Sequence, residues 1–433
     1  MGNRGGSWYL VGGMRRGVAV ACLAIATACG TPADETRPIE LWAMGREGEM
    51  VLRLVPDFER AHPGLRVRVQ QIPWSAAHEK LLTAYVGEAL PDVVQVGSTW
   101  IPELTALGAL APLDDRLAAS AAIRRDDYFP GILDTHVVDG RTMAVPWYVD
   151  TRVFFYRADL LRLAGAVAAP QTWSDWLAVM QRLVQPPDRH AIFLPITDWV
   201  MPVVIALQHG AELLRGDAEY GNFRTQTMRD AFTFYLRLFQ RGLAPAGGTD
   251  VVNVHQDFAA GYFAVYPSGP WDLGEFARRL PPALAGEWAT APMPGRRPGE
   301  VGGSLAGGSG LALTAHAAEP DAAWTFVEWL SAPAQQIAFH RLTGDLPARR
   351  SAWDEAGLRD DPRAAAFWTQ LDHLAATPKI AEWERIATAI GRAGERIVRA
   401  EARVEAALAD LDREVDVILE KRRWMLARAR GDG

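Results

Sequence analysis

Tryptophans of this chain repeatedly stand close to carboxylate or hydroxyl side chains in short segments between apolar runs. An indole offers a broad apolar face, and a carboxylate makes strong, charge-assisted hydrogen bonds. A pyranose has a C–H face and a rim of hydroxyls, so the combination suits a carbohydrate. The candidate residues of this kind are Trp42, Glu47, Trp74, Ser98, Trp100, Trp147, Asp150, Trp199, Trp271 and Asp272.

The elements that must position the first of these residues alternate between strand and helix. Apolar or alternating runs at 39–43, 65–69 and 92–96 predict strands, and helical spacing predicts helices at 47–61 and 75–87. This order predicts a parallel sheet with helices on both faces. Ligands of such sheets bind at the carboxyl ends of the strands, which is where the early tryptophans and Glu47 lie.

Helix boundaries are predicted from capping patterns and apolar spacing. Ser75 is a predicted N-cap, and Thr172 with Asp175 has a capping-box pattern. Near the end of the chain, a 4-3-4-3 apolar spacing predicts an amphipathic helix from Val404 to Ile418. That helix is expected to lie on the body of the protein, with a short coiled coil as the alternative.

The amino terminus is typical of a bacterial lipoprotein signal. Arg15 and Arg16 precede a short run of small and apolar residues at 18–28. That run is too short to span a bilayer, which needs about 20 residues, and it fits a secretory leader. Cys29 then resembles the lipidated cysteine of a lipobox, which predicts a signal peptide at 1–29 and a tether at 30–37. An ordinary cleavable signal is the alternative.

Composition excludes several function classes. The net charge is −7, and Lys and Arg form no long run that could neutralise a phosphate backbone, so no nucleic-acid partner is expected. The glycine-rich stretch 302–310 lacks the ending of a phosphate loop and precedes a strand. His62, His78 and His136 show no metal-ligand spacing. We therefore expect neither a cofactor nor a metal.

Four stretches of the chain resemble the large extracellular solute-binding proteins of bacterial ABC sugar importers, which bind maltose, trehalose and related oligosaccharides. The matching segments are residues 58–64, 91–100, 145–157 and the late group 269–272, 302–304 and 321–327. The resemblance implies an α/β, two-lobed, periplasmic-binding-protein-like fold, with mixed sheets, helices on both faces and several crossings between the lobes. The implied lobes are 38–145 with 290–343, and 146–289 with 344–433.

The resemblance also implies site residues and partners. Asp150, Trp271 and Arg349 match family positions that contact sugar, and Gly303 with Ser304 would let backbone amides approach the ligand. Asp150 or Arg349 could instead fix the hinge through a salt bridge. Some disaccharide-binding relatives carry an acid where this chain has Gly97.

The expected function is sugar capture by hinge closure and delivery to a membrane permease, with no catalysis. The expected location is outside the cytoplasm, periplasmic or on the cell surface, on a lipid anchor. An exported glycoside-processing enzyme is the alternative, with Asp150 and Glu47 as its two carboxylates.

Overall fold

The structure is a computed structural model, and it describes residues 37–185, 188–247 and 251–431. The predicted signal peptide with Cys29 lies outside the described residues, as does the predicted tether except for Arg37. In the described part of the chain, no helix has both the length and the apolar character needed to cross a bilayer.

The described strands fall into two main sheets and three short pairs. In chain order they are β1 Ile39–Met44, β2 Val67–Ile72, β3 Val93–Gly97, β4 Val137–Val138, β5 Arg141–Thr142, β6 Val145–Asp150, β7 Val153–Arg157, β8 Leu214–Arg215, β9 Tyr220–Gly221, β10 Val265–Ser268, β11 Trp288–Ala291, β12 Ser304–Leu305, β13 Gly307–Leu313, β14 Leu346–Pro347 and β15 Leu374–Ala375.

Helices cover both sheets and dominate the later half of the chain. They are α1 Gly45–Val51, α2 Val55–Ala61, α3 Trp74–Val86, α4 Ile101–Ala106, α5 Asp114–Ala119, α6 Pro130–Asp134, α7 Ala158–Leu163, α8 Trp173–Leu183, α9 Val200–Gln208, α10 Gln226–Gln240, α11 Val254–Ala260, α12 Trp271–Arg279, α13 Pro320–Leu330, α14 Pro333–Thr343, α15 Arg350–Ala356, α16 Ala365–Gln370, α17 Trp383–Val398, α18 Val404–Ile418 and α19 Glu420–Arg430.

The larger sheet has six strands in the order β14-β6-β13-β3-β1-β2. Strand β1 pairs in parallel with both β2 and β3, which confirms the predicted β-α-β-α-β unit. Strand β13 then runs antiparallel between β3 and β6. The carboxyl ends of β1, β2 and β3 therefore all lie on the same side of this sheet, where the parallel strands end.

The chain passes from the larger sheet to a three-stranded sheet within a few residues. Strand β6 ends at Asp150 in the larger sheet, and β7 begins at Val153 as the central strand of the antiparallel β10-β7-β11 sheet. This connection lies within the segment 145–157, which is one of the four that resemble the family. Strand β14 pairs with the same β6 and so also belongs to the larger sheet.

Two local predictions were wrong. The single helix expected at 47–61 is two helices, α1 and α2, separated by a turn at 52–54 that ends before Pro56. Ser75 is not an N-cap, because α3 already begins at Trp74, directly after Pro73. Proline suits a helix start since it lacks the amide that would stay unbonded there.

Two other helix predictions are confirmed. Thr172 is the N-cap of α8, and its hydroxyl accepts a hydrogen bond of 3.2 Å from the amide of Asp175. Helix α18 spans Val404–Ile418, and its apolar residues are buried in one core with those of α10 and α17. The predicted stripe therefore packs on the body of the protein, and the coiled-coil alternative is wrong.

His136 provides a pH-dependent stability prediction. Its ring is fully buried, Nδ1 lies 2.9 Å from the carbonyl of Ile132, and burial lowers its pKa to about 4. Because the folded pKa lies below the ordinary value of about 6.5, this histidine stabilises the fold above pH 6.5 and loses that contribution as the pH falls towards 4. We expect the native protein to lose about 2 kcal/mol more than His136→Gln between pH 7 and pH 5. Denaturant titrations of both proteins at the two pH values measure this difference; equal losses would contradict it.

Candidate ligand-binding site

A cavity of about 480 Å³ opens where the carboxyl ends of β1, β2 and β3 meet the connection between β6 and β7. Its walls also include the first residues of α9 and α12 and the segment that precedes β14. The lining residues are Arg46, Glu47, Trp74, Gly97, Ser98, Thr99, Trp100, Tyr148, Asp150, Thr151, Arg152, Trp199, Val200, Trp271, Glu275, Leu305, Ala306, Gly307, Gly308, Thr343, Asp345 and Thr377.

Seven of the thirteen predicted ligand-binding residues line this one cavity. They are Glu47, Trp74, Ser98, Trp100, Asp150, Trp199 and Trp271. They come from positions far apart in the chain, and the sheet topology brings them together. The expectation that the carboxyl ends of parallel strands meet accounts for four of them, Glu47, Trp74, Ser98 and Trp100.

Glu47 holds Trp74 in place. The carboxylate is buried; one oxygen accepts a hydrogen bond of 3.2 Å from the indole N–H of Trp74, and the other accepts one of 3.1 Å from the Tyr148 hydroxyl. Burial raises the pKa of Glu47, and these hydrogen bonds oppose the rise. Gly45 adopts a left-handed φ of +49°, and a Cβ there would lie 2.6 Å from the Trp74 ring. The turn that positions Glu47 therefore needs a glycine at position 45.

Trp74 and Trp100 form an angled aromatic wall. Their ring centroids are 5.6 Å apart and their planes meet at 59°. Trp100 also packs against His78, whose ring nitrogen lies 2.7 Å from the Glu103 carboxylate, and this hydrogen bond raises the pKa of His78. Trp74 is 38% exposed, whereas Trp100 is 9% exposed. Trp74 thus presents the face that a ligand can cover.

Trp271 and Trp199 supply two further indoles, the first at the start of α12 and the second directly before α9. The guanidinium of Arg152 lies 4.7 Å from the centroid of the Trp271 ring and forms an ion pair with Asp150. Trp199 packs edge to face on the buried Trp383 at 5.4 Å. Both indoles are thus braced by other side chains while they line the cavity.

Two cavity carboxyls lie in poorly solvated surroundings. Burial raises the pKa of Asp150, and the positive charge of Arg152 opposes that rise. Burial also raises the pKa of Asp345, and the negative charge of Glu47 adds to the effect. Carboxylates with so little water around them gain most from a ligand that brings its own hydrogen-bond donors.

Gly303 and Ser304 adjoin the cavity without lining it. The carbonyl of Gly303 accepts a hydrogen bond of 2.7 Å from the side chain of Gln208. The Ser304 hydroxyl accepts a bond of 3.1 Å from the amide of Arg152 and donates one of 3.0 Å to its carbonyl. Ser304 therefore fixes the backbone of the β6–β7 connection.

Two predicted tryptophans lie away from the cavity. Trp42 is covered by Lys80, whose ammonium is 4.6 Å from the ring centroid. Trp147 is buried and stacks on Phe339 at 4.2 Å. Period-two alternation along β6 explains the second case, since Trp147 faces away from the side that carries Tyr148 and Asp150.

Asp272 and Arg349 are also engaged elsewhere. The carboxylate of Asp272 accepts hydrogen bonds from Ser268 and from His255, the latter at 2.7 Å. Arg349 forms a buried ion pair of 2.7 Å with Asp127. The structure thus gives these two side chains partners within the protein, in keeping with the salt-bridge alternative for Arg349.

Several polar residues of the cavity were not predicted. Among them are Arg46, Tyr148, Arg152 and Asp345. Tyr148 was detectable, because it lies two residues before Asp150 on one strand and so shares its face. Arg46 and Arg152 are sequence neighbours of predicted residues. Asp345 lies in the short segment between α14 and β14, where no strand or helix period marked its direction.

Gly269 gives a prediction about how Trp271 is placed. A Cβ at position 269 would lie 2.0 Å from the Trp271 ring, so the ring occupies the space that a side chain would need. We expect Gly269→Ala to turn the ring away and to weaken ligand binding about tenfold, with little loss of stability because only a side chain must move. Calorimetric titration beside a thermal melt measures both effects. Unchanged affinity would show that the ring position is unimportant.

The described residues include no cluster of His, Cys, Asp and Glu that could hold a metal ion.

The fold and the site together define a protein that holds a small ligand. It has two sheets, connections between them, and a cavity lined by indoles and carboxyls. The chain belongs to the bacterial extracellular solute-binding protein family, which matches residues 46–337.

Individual relatives agree with this assignment. The chain is 24% identical over 386 residues to the diacetylchitobiose-binding protein DasA of Streptomyces coelicolor, covering 86% of this chain and 89% of DasA. The structure of the sugar-binding protein MalE from Xanthomonas citri is similar, with a TM-score of 0.84 and 46% identity over 90% of this chain and 99% of that one.

The acarbose-binding GacH receptor of Streptomyces glaucescens superposes with a TM-score of 0.79 and 23% identity, covering 88% of this chain and 98% of that one. These likenesses confirm the two-lobed α/β fold.

Proposed function

We propose that this protein captures a carbohydrate in the cavity described above and delivers it to the membrane permease of an ABC importer. One observation carries the proposal: four indoles and four buried or half-buried carboxyls from distant segments line a single cavity. Such a cavity offers apolar faces for C–H groups and acceptors for hydroxyls. DasA and MalE are named as sugar-binding proteins, which supports a carbohydrate as the ligand.

Closure of two lobes is the proposed mechanism. We assign the larger sheet, which includes β6 and β14, to one lobe and the three-stranded sheet, which includes β11, to the other. The first boundary between these lobes then follows Asp150, later than the boundary at 145 that the family resemblance implied. Two connections between the two sheets, the one from β6 to β7 and the one from β11 to β13, contribute residues to the cavity. A sugar that contacts both lobes favours the closed form through its differential affinity for that form.

We propose that the protein does not cleave its ligand. Glycoside hydrolysis needs one carboxyl as a general acid and another as nucleophile or base. Glu47 accepts hydrogen bonds on both oxygens, and Asp150 is paired with Arg152. Carboxylates engaged in this way are suited to holding a ligand, and the family consists of binding proteins.

A thermal-shift screen of the chain from residue 30 onward tests the proposal. Because a ligand of the native state raises stability by about 2.7 kcal/mol at one hundred times its Kd, a cognate mono-, di- or oligosaccharide should raise the unfolding midpoint clearly. Chromatography of the same mixtures should recover the sugar intact. The proposal fails if no sugar shifts the midpoint, and the enzyme alternative gains support if products accumulate.

A lipid anchor at Cys29 is part of the proposal. A lipoprotein of Streptomyces antibioticus is 25% identical over 361 residues, covering 79% of this chain and 77% of that protein, which supports it. We expect the full-length protein to fractionate with membranes and Cys29→Ser to lose that association. Metabolic labelling with a fatty acid provides the direct readout, and an unlabelled native protein would contradict the anchor.

A further inference from the structure

Asp345 is buried at the cavity wall with one carboxyl oxygen unused. The residue is 3% exposed and lines the cavity, and its Oδ1 finds no hydrogen-bond partner among the described residues. Its main chain is firmly held, since the amide donates to the Thr343 hydroxyl at 3.0 Å and the carbonyl lies 2.9 Å from Nδ1 of His340. The backbone position of Asp345 is therefore well fixed.

An unpartnered carboxyl in such a position opposes folding. Removing a carboxylate from water is costly unless hydrogen bonds or an opposite charge replace the lost solvation. The negative charges of Glu47 and Asp150 act in the same direction, and Arg46 is the cation that opposes them. The unliganded fold thus gains no evident stability from this carboxyl.

Asp272 shows how the same chain satisfies a structural aspartate. It is also 3% exposed, but its two carboxyl oxygens accept hydrogen bonds from His255 and Ser268. The two aspartates have equal burial and differ in whether the protein supplies their donors. Asp345 lines the cavity, so a ligand bound there can supply the missing donor.

We infer that Asp345 is a ligand-contacting residue that accepts a hydrogen bond from a hydroxyl of the bound carbohydrate and selects for sugars with a free hydroxyl there. This inference rests on the proposed function. The neighbouring Glu47 accepts one hydrogen bond on each oxygen, and a carboxylate oxygen can accept two. A sugar end with two adjacent hydroxyls therefore matches the pair, whereas a deoxy, fluoro or O-methyl group at that end lacks the donor.

The first experiment compares Asp345→Asn with its matched control Asp272→Asn. We expect Asp345→Asn to weaken sugar binding at least about tenfold, since an amide replaces the carboxyl that accepts the hydroxyl, while the unliganded protein melts at the same or a higher temperature. Asp272→Asn should show the reverse pattern, with a lower melting temperature and an affinity within about twofold of the native value. Asp345→Ser keeps the comparison available if the asparagine variant does not fold.

The second experiment scans the bound sugar with its monodeoxy and deoxyfluoro analogues. One analogue should bind the native protein at least about tenfold more weakly than the parent sugar, and the same change should cost little in Asp345→Asn, because non-additivity of this kind identifies groups in contact.

Equal affinity of Asp345→Asn and the native protein, or equal analogue losses in both, would overturn the role of Asp345 alone. A native protein that binds no sugar at all would overturn the proposed function and this inference together.

Discussion

Replacing Arg349 by alanine should lower the free energy of unfolding by about 3 kcal/mol, because it removes the buried cation of a carboxylate that is itself only 10% exposed. The guanidinium contacts Asp127 at 2.7 Å and the carbonyls of Ala122 and Ser331 at 2.6 and 3.3 Å. Burial opposes ionisation of Asp127, but hydrogen bonds from Ser351 and Arg349 outweigh it and lower the pKa of Asp127. Chemical denaturation measures the effect.

Sugar affinity separates this structural role from the ligand contact that the family resemblance implied for Arg349. The folded fraction of Arg349→Ala should bind sugar within about twofold of the native protein, since Arg349 is not among the cavity residues. Arg349→Lys, which keeps the charge but loses the planar fork, should fall between the two proteins in stability. A stable Arg349→Ala protein that no longer binds sugar would restore the original assignment.

Trp271→Ala should weaken sugar binding by at least about tenfold, or ~1.4 kcal/mol. Trp271 begins α12, lines the cavity and packs against the guanidinium of Arg152. Its removal takes away a large stacking surface and frees Arg152 to move relative to Asp150. The ring is only partly buried, so the loss of stability should be small. Isothermal titration with the sugar found by the thermal-shift screen gives the affinity.

Trp424→Ala is the matched control for this change. Trp424 is 58% exposed on α19 and is absent from the cavity wall. Its replacement removes an indole of the same size and should change the affinity by less than about twofold. If both alanine variants bind like the native protein, Trp271 does not contact the ligand.

The α/β order of the first half could be predicted because hydrophobic spacing reports burial directly. The three parallel strands and the α18 stripe follow from local periodicity, and so does their placement of Glu47, Trp74 and Trp100 at a common edge. The start of α3 was misplaced because Ser75 has a good capping side chain, whereas Pro73 sets the boundary through its ring geometry.

The remaining site depended on long-range pairing that periodicity does not encode. An aspartate stabilises the fold when a side chain distant in sequence pairs with it, and is otherwise available to a ligand. Asp127 pairs with Arg349, and Asp272 pairs with His255. Asp345 has the same residue type, yet one of its oxygens finds no partner in the described part of the chain. No pattern along the sequence distinguishes these three cases.

A crystal structure of the protein with the sugar that gives the largest thermal shift tests the central claim most directly. We predict density for a sugar ring against the indoles of Trp74 and Trp271, with hydroxyls within hydrogen-bonding distance of Asp150 and Asp345. A crystal grown at saturating sugar in which this cavity holds no carbohydrate, or in which the sugar lies at another surface, would contradict the account.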